Sequence, residues 1–237
     1  TSSDGTNSSG TKKLLKVIDT NNYGGASGKY WNSAGTNNWS TASLKTELNE
    51  TYLTTLLETS NVNSKLSNGI VNAKWHLGGA SDSNYQTLTA EGIYTQERNA
   101  SAIYSGNPSS IYAKVGLIYP SDYGYATVGG TTKNKSSCRA KELYNWYDSS
   151  YSDCKNNDWL FTSQSSFVNN GEWLLSPYSS LSSRAALLHS SGSVLLLGNV
   201  IVDYSQFAVR PTFYLDSSVL KIVGTGDGSS SNPYRVG

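Results

Sequence analysis

The chain has 237 residues and 18 Lys+Arg against 17 Asp+Glu, a net charge of +1, with 2 cysteines and no methionine. That near-neutral balance argues against a nucleic-acid binder or a basic membrane-surface protein. The 6 Trp, 17 Tyr and 4 Phe supply too large an apolar payload for a disordered chain. Ser, Thr, Asn and Gly make up 104 of the residues, and few charges with much Ser/Thr/Asn is the composition of an exported, surface-exposed protein.

Residues 1–11 are polar and read as a tether. The chain lacks an initiator methionine, so we expect a removed segment ahead of it, either a signal peptide or an N-terminal membrane helix. Residues 13–19 read as an early strand, and 20–39 as a Gly/Asn-rich loop with two tryptophans. Ser40 is placed to cap a helix on which Leu44, Leu48, Leu53 and Leu57 recur near the helical period. Val71, Ala73, Trp75 and Leu77 alternate with polar residues as in a half-buried strand, with His76 on the polar face. Residues 89–99 suit a short helix and 113–119 a strand. Residues 119–126 (YPSDYGYA) read as a turn whose three tyrosines are either packed beneath it or form a ligand shelf.

Cys138 and Cys154 allow two readings, one disulfide or two buried thiols; an even count in an export-type composition favours the disulfide. A helical turn over 142–147 would lie inside that loop. From Trp159 onward we expect short strands at 159–162, 172–176, 183–188, 193–197, 208–215 and 219–223, punctuated by Gly and Ser. No composition break interrupts 12–237, so the expectation is a single α+β domain with a β-rich C-terminal half.

Catalytic signatures are missing: the sequence has no HExxH, no GxSxG and no Walker loop. The glycines at 224–228 are not followed by a helix pattern and read as a turn. His189 has no acidic neighbour in sequence, and neither a cofactor nor a metal site is expected. The informative stretch is 174–205. Its 32 residues contain no Lys, Glu, Gln, Met or Trp, whereas the remainder of the chain holds 30 of them. Those five are the residue types whose codons all end in a purine. Within the stretch, Leu195, Leu196 and Leu197 are consecutive, and strict alternation cannot bury all three on one face of a strand. Either at least one points outward, or the strand is central and buried on both faces.

Trp173-Leu-Leu-Ser-Pro177, Gly192 and Ala208-Val-Arg-Pro-Thr-Phe-Tyr-Leu215 resemble a signature of bacterial surface proteins with a C-type-lectin-like fold, related to the formylglycine-generating-enzyme type. Asn38-Trp39-Ser40, the 115–126 stretch and Asn232-Pro-Tyr234 extend the likeness over most of 12–237. The resemblance implies several things. The fold would be C-type-lectin-like, in some members behind a pilin-like membrane helix. The role would be the variable protein of a diversity-generating retroelement, whose template adenines are copied with errors so that Asn-type codons become any codon ending in a pyrimidine. Segment 174–205 has that composition. The catalytic cysteine pair of the enzyme branch is absent, so no catalysis is carried over.

The leading expectation is therefore an extracellular or cell-surface bacterial protein that binds a protein or glycan ligand. The candidate ligand-binding residues are Leu181, Ser183, Arg184, Leu188, His189, Ser193, Leu195, Leu196, Leu197, Asn199 and Tyr204. Arg210 is assigned to structure, tying the variable loops to the framework. Asp203 is the one acidic residue of the segment, too few for a calcium cage. The alternatives are a structural pilin or surface-layer subunit and, behind it, an enzyme of the formylglycine-generating type.

Overall fold

A computed structural model describes residues 6–7, 10–11, 14–58, 64–128, 135–164, 166–195, 200–203, 206–217, 222–223, 225–226 and 235–236. It mixes helix and sheet, in keeping with an α+β class. Near the N-terminus, β1 (Thr6–Asn7), β2 (Gly10–Thr11) and β3 (Leu14–Ile18) are followed by the loop that carries Trp31 and Trp39. The helical stretch is α1 (Ser43–Glu47), a wide π-turn at Leu48–Tyr52, and α2 (Leu53–Glu58). The wide turn explains the leucine spacing. The step from Leu48 to Leu53 is five residues, which an undisturbed helix would carry off the apolar face; a π-turn restores it. Leu44, Leu48 and Leu53 are all buried. Ser40 does not cap this helix: Asn38 caps a preceding 3-10 turn (Trp39–Thr41), and the helix begins after Ala42 without a side-chain cap.

Downstream lie α3 (Ser64–Gly69), β4 (Ala73–His76), α4 (Ala90–Arg98), β5 (Ser110–Ala113), β6 (Val115–Gly116), α5 (Pro120–Tyr125) and α6 (Lys135–Arg139). Thr89 caps α4 through its side-chain oxygen, as Thr ahead of an apolar run should. The expected turn at 119–126 is instead the helix α5. Pro120 opens it, and the Asp122 carboxylate accepts the Tyr119 N–H, the local chemistry of a helix start. Tyr119 and Tyr123 are buried beneath it. After a 3-10 turn at Leu143–Tyr147 come α7 (Ser152–Asn156) and α8 (Trp159–Thr162). The strand expected at 159–162 is thus helical, because Asp158 accepts the N–H groups of Leu160 and Phe161. The chain closes with β7 (Gly171–Pro177), β8 (Ala185–His189), β9 (Val194–Leu195), β10 (Thr212–Asp216), β11 (Ile222–Val223) and β12 (Arg235–Val236).

Strand β10 lies between β3 and β6, all antiparallel, so the two ends of the chain share one sheet. A second sheet runs β2-β1-β4-β5, and a third β7-β8-β9. The third is the partition of the molecule. Every residue of β7 is buried, as are the first four of β8. Trp173, Leu175, Ala185 and Leu187 point into one core with Trp31, Trp39 and Trp75. Leu174, Ala186 and Leu188 point into the other, with Tyr123, Trp146 and the Cys138–Cys154 pair. A strand apolar on both faces is what such a position demands.

Charge is buried at the edge of this partition. Arg210 is wholly buried and donates to Glu172 on β7 at 2.8 Å, to Ser163 at 2.9 Å and to the Leu160 carbonyl at 2.8 Å. The other Glu172 oxygen accepts from Gln164 at 2.6 Å. Arg210 therefore ties β7 to the end of α8, and the loops of segment 174–205 only through the β7 backbone. Burial pushes the Asp158 carboxyl up from its ordinary 3.8 to about 8, although two backbone N–H groups and Arg210 oppose the rise.

Two measurements test this account. The disulfide joins Cys138 to Cys154 with a Cα–Cα distance of 5.6 Å, so unreduced protein should show no alkylation in intact-mass analysis. Replacing both cysteines by Ala should destabilise the fold by about 3 kcal/mol, the chain-entropy value for a loop of this size. The raised Asp158 carboxyl binds its proton more tightly in the folded than in the unfolded chain. Its stabilisation is complete below 3.8 and is lost as pH rises through about 8. Thermal unfolding at pH 5, 7 and 9 should therefore show a fall in Tm, larger from pH 5 to 7 than from 7 to 9, that is reduced in Asp158→Asn, since Asn retains the capping oxygen.

Candidate functional site

Among the expected ligand-binding residues, Leu181, Ser183 and Arg184 share one loop and are half-buried. The loop is held through its backbone by residues outside it. The Asn37 amide nitrogen lies 2.8 Å from the Tyr178 carbonyl, 2.9 Å from that of Leu181 and 2.8 Å from that of Arg184. Asn37 is itself buried, and its own N–H donates to the Ser182 carbonyl. Val202 donates its N–H to the Ser183 carbonyl at 3.0 Å, and Asn32 donates to the Val202 carbonyl at 3.1 Å. Ser179 donates to the Ala80 carbonyl at 2.8 Å, and the Tyr178 hydroxyl to Asp82 at 2.9 Å. Three separate stretches, 32–37, 80–82 and 200–203, thus fix the path of 178–184 while its side chains face outward in part. Arg184 Nη1 is buried without a hydrogen-bond partner among the described residues.

His189 lies at the other end of β8, five residues from Arg184 and therefore on the order of 16 Å away. The tight turn after it needs Gly192 at φ +95°. The His189 ring pairs with the Ser191 hydroxyl at 2.8 Å, and burial holds its imidazole below the usual histidine range. Ser193 is buried and donates to the Tyr144 carbonyl at 2.6 Å. Leu188, expected on the surface, is 0% exposed because, with Ala186, it lies on the face of β8 turned to the disulfide-bearing core. Leu188 and Ser193 are therefore not surface residues, and Arg184 and His189 do not form one patch. Leu195 pairs with Leu187 in β9. Leu196, Leu197, Asn199 and Tyr204 lie outside the described residues.

Sequence reasoning passed over Asn37. An asparagine in a Gly/Asn-rich loop carries no signal of its own, since its role rests on carbonyls more than a hundred residues away. Glu97 is a further buried carboxyl, pushed up to about 7 by burial. It accepts the backbone N–H of Ser121 at 2.9 Å, the hydroxyl of the same residue at 2.5 Å and an Arg98 N–H at 2.9 Å. The two Ser121 bonds lock α4 to α5. Among the described residues no group of three or more His, Cys, Asp or Glu gathers as a metal site, and no helix is long and apolar enough to cross a membrane. No family model matches the chain, and no curated protein or solved structure is found to be similar to it.

The division of β8 into a buried strand and an outward loop is testable by substitution. Leu188→Asn should lose several kcal/mol of stability, of the order of 2–5, because it opens a cavity and buries an unpaired amide. Arg184→Asn should unfold within a few degrees of the unaltered protein. Chemical denaturation of both variants measures the contrast.

Proposed function

We propose that the chain is an extracellular binding protein of C-type-lectin-like fold that presents a diversified recognition surface within segment 174–205. The observation that carries this reading is the way Asn37 holds the 178–184 loop. All three contacts of its amide nitrogen are to main-chain carbonyls, and its amide oxygen accepts from Asn107 outside the loop, so the grip does not depend on the side chains of Leu181, Ser183 and Arg184. A framework that grips backbone rather than side chain is what a variable site requires. The composition of the segment, free of Lys, Glu, Gln, Met and Trp, supports diversification through adenine-directed template errors. The surface would take an extracellular protein or glycan as ligand. Leu181, Ser183 and Arg184 belong to it, and His189, at the far end of β8, does not share their patch.

Two experiments test the reading. Ser183→Tyr and Arg184→Ser should each change unfolding free energy by no more than about 0.5 kcal/mol. Asn37→Ala should lose about 1–3 kcal/mol, because buried carbonyls lose their donor. Loop variants as damaging as Asn37→Ala would overturn the tolerant framework. The genomic neighbourhood tests diversification: a reverse-transcriptase gene should lie beside the coding sequence, together with a near-repeat of codons 174–205 differing at adenines. Their absence would reduce the reading to an invariant binding protein.

A further inference from the structure

Two hollows share Tyr125 in their linings, and neither includes a residue of segment 174–205. The first, of about 260 Å³, has Ile18, Ile118 and Leu160 in its lining, Trp159 and Tyr125 as aromatic walls, and the Lys16–Asp122 ion pair as its polar side. The second, of about 340 Å³, lies among Thr89, Glu91, Ser136 and Arg139, with Tyr125 as the shared wall. One is below and the other at the lower end of the roughly 300–1,000 Å³ of pockets that enclose drug-sized ligands. Each therefore suits a group of single-ring size.

Trp159 is out of keeping with the other tryptophans. Trp31, Trp39, Trp75, Trp146 and Trp173 are wholly buried, whereas Trp159 is 52% exposed. Tyr125, at 41%, is also exposed. Trp159 is displayed by α8, whose first turn Asp158 caps, and Tyr125 by the last turn of α5. The Arg139 guanidinium lies 5.5 Å from the Tyr125 ring, on the side of the second hollow. Each hollow also carries one acidic and one basic side chain, Asp122 with Lys16 and Glu91 with Arg139, so neither selects for a charged ligand. Carboxylate, ammonium and guanidinium groups beside aromatic faces offer acceptors and donors to hydroxyls. The electron-rich ring faces attract the weakly positive C–H face of a saturated ring.

We infer that this double hollow binds a neutral oligosaccharide, with one sugar ring against Trp159 in the first hollow and the next against Arg139 in the second, across Tyr125. An apolar face rimmed by hydroxyls and free of net charge is the chemistry both hollows share. The adjacency of the two hollows favours a chain of sugar rings over a single one.

The protein carries its own reporter, because Trp159 is the exposed tryptophan. Unaltered protein is titrated with maltotriose, cellotriose and chitotriose to millimolar concentration, and acrylamide quenching of tryptophan emission is followed. At least one trisaccharide should bind saturably and shield the quenchable emission. Trp159→Ala and Tyr125→Ala should each weaken that binding about tenfold or more, measured calorimetrically. Arg139→Ala should weaken the trisaccharide but not the corresponding monosaccharide. Tyr112→Ala, an exposed tyrosine on β5 away from both hollows, should leave binding unchanged, and all four variants should keep the Tm of the unaltered protein within a few degrees. Binding of none of the three sugars would overturn the inference. So would preference for sialylated or sulfated glycans over these, or binding that survives both aromatic substitutions.

Discussion

Arg210 has no access to water, and the position of everything around it follows from that. A buried guanidinium is tolerable only when a carboxylate and further acceptors surround it. Here Glu172 supplies the carboxylate and Ser163 and the Leu160 carbonyl the remaining acceptors. Because Glu172 lies on β7 and the others at the end of α8, the ion pair sets where that helix meets the central sheet. Removing one partner of such a pair typically costs about 3–5 kcal/mol, since the other is left charged and buried. The same geometry brings Asp158 close enough for Arg210 to oppose the upward push of burial on its carboxyl.

The sheet held in this way divides the protein into two cores. One gathers four of the buried tryptophans, Trp31, Trp39, Trp75 and Trp173. The other is built around Trp146, Tyr123 and the disulfide. With both faces of β7 and β8 taken up by packing, only what lies beyond the ends of β8 can reach solvent. At one end the backbone of 178–184 is gripped by Asn37, and at the other the 189–193 turn is bound to Tyr144 and, through Lys155, to α7. Variation confined to Ser183 and Arg184 of the first loop leaves both cores and the ion pair untouched, whereas Leu181 packs against the second core.

The two hollows have a different physical basis. The second lies between the start of α4, the end of α5 and α6. The first arises where α5 and α8 approach β3, with walls from local helix starts, Asp122 within the first turn of α5 and Trp159 directly after the Asp158 cap. Lys16 spans the gap, bonded to Asp122 and lying 4.6 Å from the Tyr119 ring and 5.2 Å from that of Tyr214. A ligand there would meet a surface that does not change with segment 174–205.

By itself, the sequence determined those features that depend on neighbours along the chain. Thr89 and the apolar run after it define α4 within a residue at each end, and the alternation around Trp75 defines β4. The disulfide followed from an even cysteine count in an export-type composition. Local signals were also present but outweighed in reading: Pro120 with Asp122 marks a helix start within a tyrosine-rich turn, and Asp158 caps what reads as a strand. Tertiary structure alone decided three things. It placed Leu188 inside, because apolar residues on both faces of β8 suit a central strand as well as an exposed one, and only the second core makes the choice. It separated His189 from Arg184 by the length of a strand, which sequence proximity conceals. It also gave Asn37 its role, since the carbonyls that amide reaches belong to residues more than a hundred positions later, and no local pattern can record a hydrogen bond whose partner is set by the packing of a distant loop.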